Sequence, residues 1–252
     1  MPGTTDQYES ILAETVMLQG HNDDPIRAFL ARPMGAGPYP TMVLVHHMPG
    51  WDDWFMETTM KFAHHGYATI TPNLYERAGH GTPEDVAAMV RNDGGVPDEQ
   101  VVGDVGGAIK YMKALPNGNG KTGLWGTCSG GRHEYLAAAQ LDGVDALCDL
   151  WGGGVVMAAE DLTPARPKAP LDYSEGITAP ILGLFGNDDR SPSPEQVDTQ
   201  EAKLKELSKN YEFHRYDGAG HGFFYDNRPN YRQEQAVDGW AKVWDFLGRT
   251  LR

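Results

Sequence analysis

Apolar residues along the chain follow two rhythms: short unbroken runs, and recurrences every three or four positions. "ETVML" (14–18) and "IRAFLAR" (26–32) flank a turn-like "QGHNDDP", which predicts an extended hairpin. After the loop "GAGPYP" (35–40), "TMVLV" (41–45) is a continuous apolar run, the pattern of a buried strand. Strand signals return at "YATI" (67–70), "TGLW" (122–125), "DALCDL" (145–150), "PILGLF" (180–185) and "YEFHRY" (211–216).

Helical spacing fills the gaps between these strands. Residues 52–65 place Trp54 or Phe55, Thr58 or Thr59, and Phe62 on one face, with Asp52 or Asp53 as cap and Gly66 as stop. "PEDVAAMV" (83–90) predicts a short helix. Val101, Val105, Ile109 and Met112 mark another, which Pro116 and Asn117-Gly118 close. An alanine-rich helix runs through "GRHEYLAAAQL" (131–141), and an amphipathic one over 194–209. Val237, Trp240, Val243, Trp244 and Leu247 mark the last. Strands alternating with helices predict an α/β fold, a mainly parallel central sheet with helices on both faces. No repeat or linker interrupts the pattern, so one domain is expected over 1–252. Residues 152–176 have little periodicity and read as an inserted lid or pocket-wall loop.

Composition narrows the function classes. A chain of 252 residues, 40% hydrophobic and 22% charged, can bury a substantial core and is not a disordered one. Its net charge of -14 leaves no basic footprint for nucleic acid, and argues against an anionic membrane surface. "MPGTTDQYES" (1–10) has neither a basic nor an apolar leader region, so no secretory signal is read there. No apolar run approaches the ~18 residues needed to span a bilayer. Cys128 and Cys148 are expected to be free thiols of a cytoplasmic protein. Metal-ligand patterns such as Cys-x-x-Cys are absent, and His46 and His47 would point to opposite faces of a strand. No cofactor is expected, and the oligomeric state is left open.

"GTCSGGRH" (126–133) carries the chemistry. Gly-x-nucleophile-x-Gly at a strand-to-helix turn is the nucleophile elbow. Centring it on Cys128 puts Gly126 and Gly130 at the flanks, whereas centring on Ser129 loses one glycine. The helix that follows directs backbone N–H groups and partial positive charge at the thiol, which must ionise to attack. A thiolate needs a base, and His221 sits in "DGAGHGFF" (217–224) after the last strand. The competing histidines are His46, His47, His64, His65 and His133, while His21 and His214 lack supporting context. An orienting acid is offered by Asp188 or Asp189 in "LFGNDDRSP" (184–192). Nucleophile, acid and histidine then follow in the order of the α/β-hydrolase fold.

These motifs resemble the dienelactone hydrolase (carboxymethylenebutenolidase) family of the α/β-hydrolase superfamily. The likeness lies in Gly126 to Gly131, in Gly186-Asn187-Asp188, in Gly220-His221, and in the segments 65–77 and 119–131. It runs from about residue 26 to the C-terminus. The resemblance implies a Cys128–His221–Asp188 triad, and selects Asp188 over Asp189 by its place after Gly186. It implies an oxyanion hole from the backbone N–H groups of Ser129 and Met48. It implies a small-molecule ester or lactone as substrate, cleaved through an acyl-enzyme. Alternatives are a hydrolase of another activated ester, such as a phosphate ester, and a non-catalytic binding protein. Two departures stand out. His47 occupies the place of a family glutamate that contacts the resting thiol, and Tyr225 that of an arginine that binds a substrate carboxylate. With that arginine gone, a preference for neutral esters or lactones is expected, unless Arg77, Arg91 or Arg228 substitutes. Trp51, Tyr75 and Trp151, with His47 and Tyr225, are the expected pocket walls.

Overall fold

A computed structural model describes residues 10–252. The signal-free reading of the N-terminal stretch falls on residues 1–9, outside the described residues, and on Ser10 at their edge. The strands are β1 (Ile11–Gln19), β2 (Pro25–Pro33), β3 (Tyr39–Val45), β4 (Ala68–Pro72), β5 (Gly118–Thr127), β6 (Ala146–Leu150), β7 (Ile181–Gly186) and β8 (Tyr211–Tyr216). The α-helices are α1 (Asp53–His64), α2 (Pro83–Asn92), α3 (Asp98–Lys113), α4 (Ser129–Ala138), α5 (Pro194–Glu206) and α6 (Gln233–Thr250). They form one eight-stranded sheet in the order β1-β2-β4-β3-β5-β6-β7-β8. The β1–β2 hairpin and the β2–β4 pair are antiparallel, and every pair from β4 to β8 is parallel.

Burial explains why the apolar runs became strands. β3, β4, β6 and β7 are buried at every residue, as parallel strands covered on both faces must be. Alternate residues serve alternate cores. Val43, Val45, Leu124, Leu147 and Ile181 face one cluster, with Val101, Val105 and Ile109 of α3 and Tyr135 of α4. Met42, Leu44, Trp125, Cys148 and Leu182 face the other, with Phe55 and Phe62 of α1 and Val243 and Phe246 of α6. Edge strand β8 is only half-buried throughout.

Several expectations shift at their ends: the first strand, expected over 14–18, runs Ile11–Gln19, and the alanine-rich helix, expected over 131–141, runs Ser129–Ala138. β5 starts four residues before the apolar run, because Tyr39 of β3 pairs with Gly118 across a register irregularity. α5 stops at Glu206, where Leu207 is the C-cap and Ser208 turns to φ +53°. At the other end of α1, Asp52 accepts the N–H of Phe55 at 3.1 Å, so Asp52 rather than Asp53 is the cap.

The topology itself creates a site. From β3 the chain passes to β4 on one side, then returns to place β5 on the other side of β3. Loops leaving β3 and β5 therefore diverge, opening a crevice at the carboxyl edge of the sheet. Met48 lies in the first loop and Cys128 in the second.

Candidate active site

β5 ends at Thr127, and Cys128 turns the chain with φ 58° and ψ -125° before α4 begins at Ser129. That left-handed backbone is strained for a residue with a side chain, and a tight packing of glycines holds it. A Cβ on Gly130 would lie 2.0 Å from the carbonyl oxygen of Val45, and one on Gly126 2.5 Å from that of Gly130. Both flanking positions exclude any larger residue. The register centred on Cys128 follows from these contacts.

His221 meets the elbow from the loop after β8. Its Nδ1 is 2.8 Å from Asp189 Oδ2, and its side chain hydrogen-bonds the Cys128 sulfur. With Nδ1 committed to the acid, Nε2 is the nitrogen that faces the thiol. The carboxylate paired with His221 is thus Asp189, where Asp188 was expected. The Asp188 backbone N–H donates to Ala219 at 2.9 Å, tying the turn to the histidine loop while its side chain stays exposed. The next residue turns inward: the Asp189 side chain is 2% exposed, and its Oδ1 accepts the Ser191 N–H at 2.9 Å.

The two partners shift one another. Burial raises the Cys128 pKa, but the His221 hydrogen bond and charge, with the backbone N–H groups of Ser129 and Met48, outweigh it and hold the thiol below its ordinary value. Burial lowers the His221 pKa, but the bonds to Asp189 and Cys128 outweigh it and raise it to about 10. Thiolate and imidazolium are mutually stabilised. Ser129 and Met48, read from sequence as a pair of donors, both reach the sulfur through the main chain.

Behind the elbow lies a cavity of about 770 Å³. Met48, Tyr75, Cys128, Ser129, Asp189 and His221 line it, together with Gly153, Gly154, Met157 and Arg166 from the long loop. Tyr75 is the one expected wall residue on this surface, and its hydroxyl donates to the Met48 carbonyl at 3.1 Å.

The other four are corrected. His47 is fully buried, with Nε2 2.7 Å from Asp52 Oδ2 and its ring against Trp54, Phe55 and Tyr225. Burial holds its pKa below the ordinary value against the pull of Asp52. Tyr225 is buried in the same aromatic cluster, its hydroxyl 2.9 Å from Thr127 Oγ1. Trp151 is buried against Phe223, Phe224 and Tyr225. These three rings pack the core under the sheet edge, because α1 and the 223–225 segment close over them. Trp51 donates its indole N–H to Thr71 at 3.0 Å and lines a separate cavity of about 260 Å³, on the far side of Tyr75.

Arginines supply what the sequence reading missed. Arg91, Arg132, Arg166 and Arg190 all line the main cavity. Of the three substitutes weighed from sequence, only Arg91 is there. Arg77 pairs with Asp104 and Asp24, and Arg228 lies over the Tyr225 ring, 3.8 Å from Asp52. Arg132 is held by both oxygens of Asp98, at 2.6 and 3.1 Å. Arg166 Nε is buried with no hydrogen-bond partner among the described residues. His133, also on the wall, is fully buried, and burial with the charges of Arg132 and Arg166 keeps it neutral. His64 and His65 lie at the end of α1, where His65 stacks on Trp244 at 3.6 Å. No spacing rule marked Arg166, since the long loop has no period from which to read a direction.

A strand order reversing beside β3 and an elbow after β5 define an α/β-hydrolase. The model of the dienelactone hydrolase family matches residues 26–251, and the chain belongs to that family. A "Putative carboxymethylenebutenolidase" of Methylorubrum extorquens is 33% identical over 228 residues, 89% of this chain and 77% of that protein. One of Synechocystis sp. is 31% identical over 233 residues, 90% of this chain and 93% of its own length. A solved structure described as "Putative Dienelactone Hydrolase from Klebsiella pneumoniae" superposes with TM-score 0.87 at 27% identity, covering 96% of this chain and all of that one. The protein is a hydrolase of the ester and lactone type. Among the described residues, no helix is long and apolar enough to cross a membrane.

Proposed function

We propose that the protein cleaves a small, carboxylate-bearing ester or lactone through a thioester on Cys128, with His221 as base and acid and Asp189 as its orienting partner. One observation carries the reading: the His221 ring and the backbone N–H groups of Ser129 and Met48 converge on one sulfur in the cavity wall.

The Cys128 thiolate attacks the carbonyl carbon, and the carbonyl π pair moves onto oxygen. The Ser129 and Met48 N–H groups receive that oxyanion, each such donor lowering the barrier by ~3 kcal/mol. Collapse expels the alkoxide, which takes the His221 Nε2 proton and leaves a thioester. In a lactone the alkoxide stays tethered to the acyl group. Neutral His221 then deprotonates a water that attacks the thioester, and the second collapse restores thiolate and imidazolium. Asp189 holds the imidazole tautomer throughout and stabilises its charged form.

The cavity favours an anionic substrate. Among the described residues, three of its arginines, Arg91, Arg166 and Arg190, form no ion pair with a carboxylate, in a chain whose overall charge is -14. Burial and the like charge of Arg132 press Arg166 below its ordinary value, yet a guanidinium stays protonated. A carboxylate entering the cavity would relieve that repulsion. The names of the relatives denote the opening of a lactone with a carboxymethylene substituent, which fits the same chemistry. The expectation of a neutral substrate, which rested on Tyr225 replacing an arginine, gives way here: Tyr225 is not on the cavity wall, and Arg166 is. The test is a panel of matched esters and lactones, with and without a carboxylate, assayed beside Cys128→Ala. Hydrolysis that survives Cys128→Ala would refute the reading.

A further inference from the structure

His46 adjoins the proposed oxyanion hole without lining the cavity. It is 1% exposed, and its two ring nitrogens have different partners. Nε2 lies 3.2 Å from the backbone nitrogen of Leu74. An amide N–H can only donate, so Nε2 carries a lone pair. The single proton of the neutral ring is therefore on Nδ1, 2.9 Å from the carbonyl oxygen of His47. That oxygen also accepts the Gly50 N–H at 3.0 Å.

The His47 carbonyl and the Met48 N–H are opposite ends of one planar trans peptide. Fixing the oxygen with two donors fixes the direction in which the N–H points, toward Cys128. Donation to the oxygen also polarises the amide and strengthens its N–H as a donor. The ring is locked edge-on to Tyr75, with centroids 4.6 Å apart at 85°, and Tyr75 in turn pins the next carbonyl, that of Met48. Burial lowers the His46 pKa to about 4, opposed by the His47 bond, so the ring stays neutral near pH 7.

We propose that His46 is a positioning residue, holding the 47–48 peptide so that the Met48 N–H meets the transition-state oxyanion. The proposal rests on the thioester mechanism above.

Two variants separate donation from packing. His46→Asn keeps an N–H donor at the Nδ1 position. His46→Gln places its amide at the Nε2 position and leaves the His47 carbonyl without its side-chain donor. His46→Gln is expected to lower kcat between about ten- and a hundredfold, less than the ~10²–10³ of losing an oxyanion donor outright. KM should stay within about twofold, as for an interaction made only in the transition state. An aryl trifluoromethyl ketone, whose adduct with Cys128 carries an oxyanion, should lose affinity in parallel with kcat. His46→Asn should recover most of both. A role in packing alone would lower both variants alike, with no parallel loss of the ketone. Equal losses in the two variants, or wild-type kcat in His46→Gln, would overturn the proposal. Should neither variant fold, ¹⁵N NMR of the wild-type ring decides: the Nδ1–H tautomer supports the proposal and the Nε2–H tautomer overturns it. Undiminished hydrolysis in Cys128→Ala would remove the underlying mechanism, and the proposal with it, whatever the His46 variants do.

Discussion

Cys148 lies within β6 and Cys128 just past the end of neighbouring β5, and the two thiols are shifted in opposite directions. Cys148 pairs with Trp125 in the middle of the sheet, fully buried among Leu150, Leu182 and aromatic rings. Burial raises its pKa well above the ordinary value, with the charges of Glu134, Glu212 and Asp149 adding to the rise. Cys128 stands three residues beyond Trp125, where the sheet ends and the backbone turns. It is also largely enclosed, yet its pKa falls, because His221 and two backbone N–H groups are aimed at it. Burial alone raises a thiol's pKa, whereas burial with directed donors lowers it, which is the condition a nucleophilic thiol requires.

Removing each sulfur gives the largest contrast. Cys128→Ala should lower kcat/KM by at least ~10⁴-fold, as loss of a nucleophile does in comparable triads. Cys148→Ala should leave turnover within about twofold and act instead on stability, by the ~1 kcal/mol typical of a small core truncation. Thermal melting and kcat/KM on an aryl ester measure both. Equal losses of activity would erase the distinction between the thiols.

Next come the acids that stand side by side. Asp189→Asn should cost about 10²–10⁴ in kcat, by weakening the imidazolium and allowing the wrong tautomer. Asp188→Asn should stay within about twofold, since its side chain is exposed and makes none of the hydrogen bonds described above. The reverse ranking would restore Asp188 as the partner and place His221 in another rotamer during turnover.

Arg166→Gln should be selective. A charged hydrogen bond contributes roughly 1.5–3 kcal/mol, so kcat/KM should fall about ten- to a hundredfold for a carboxylate-bearing lactone, and little for its neutral analogue. An equal fall for both would assign Arg166 to the loop rather than to the substrate.

The smallest effect is in pH. With the thiol pKa lowered and that of His221 raised, the rate at which iodoacetamide alkylates Cys128 should fall off at a lower pH than that of an unperturbed thiol, which protonates through ~8.5. Above about 10, His221 loses its proton. Alkylation should persist there because the thiolate remains, while turnover declines because the leaving group has no acid.

Elements and order were readable because continuous apolar runs have one outcome in a covered parallel sheet. Cys128 was readable because glycine at 126 and 130 leaves room for nothing else. Asp189 was harder, since a two-residue acidic turn looks the same whichever carboxylate folds inward. The side chains at 47, 51, 151 and 225 were misplaced for a related reason. Aromatic residues near a sheet edge can wall a pocket or pack beneath it, and only the closure of α1 and the 223–225 segment decides. Arg166 was invisible because its loop has no periodicity, and its direction is set by contact with Gly95 and by the Ala165 carbonyl accepting the Asp98 N–H.

The thioester on Cys128 is the central claim, and it can be trapped. An activated ester mixed with the enzyme and quenched in acid within the first turnovers should add one acyl mass per chain. Peptide mapping should place that mass on Cys128, and hydroxylamine should remove it at neutral pH. An acyl group on Ser129, or steady turnover with no adduct at any quench time in a variant with slowed deacylation such as His221→Asn, would contradict the account.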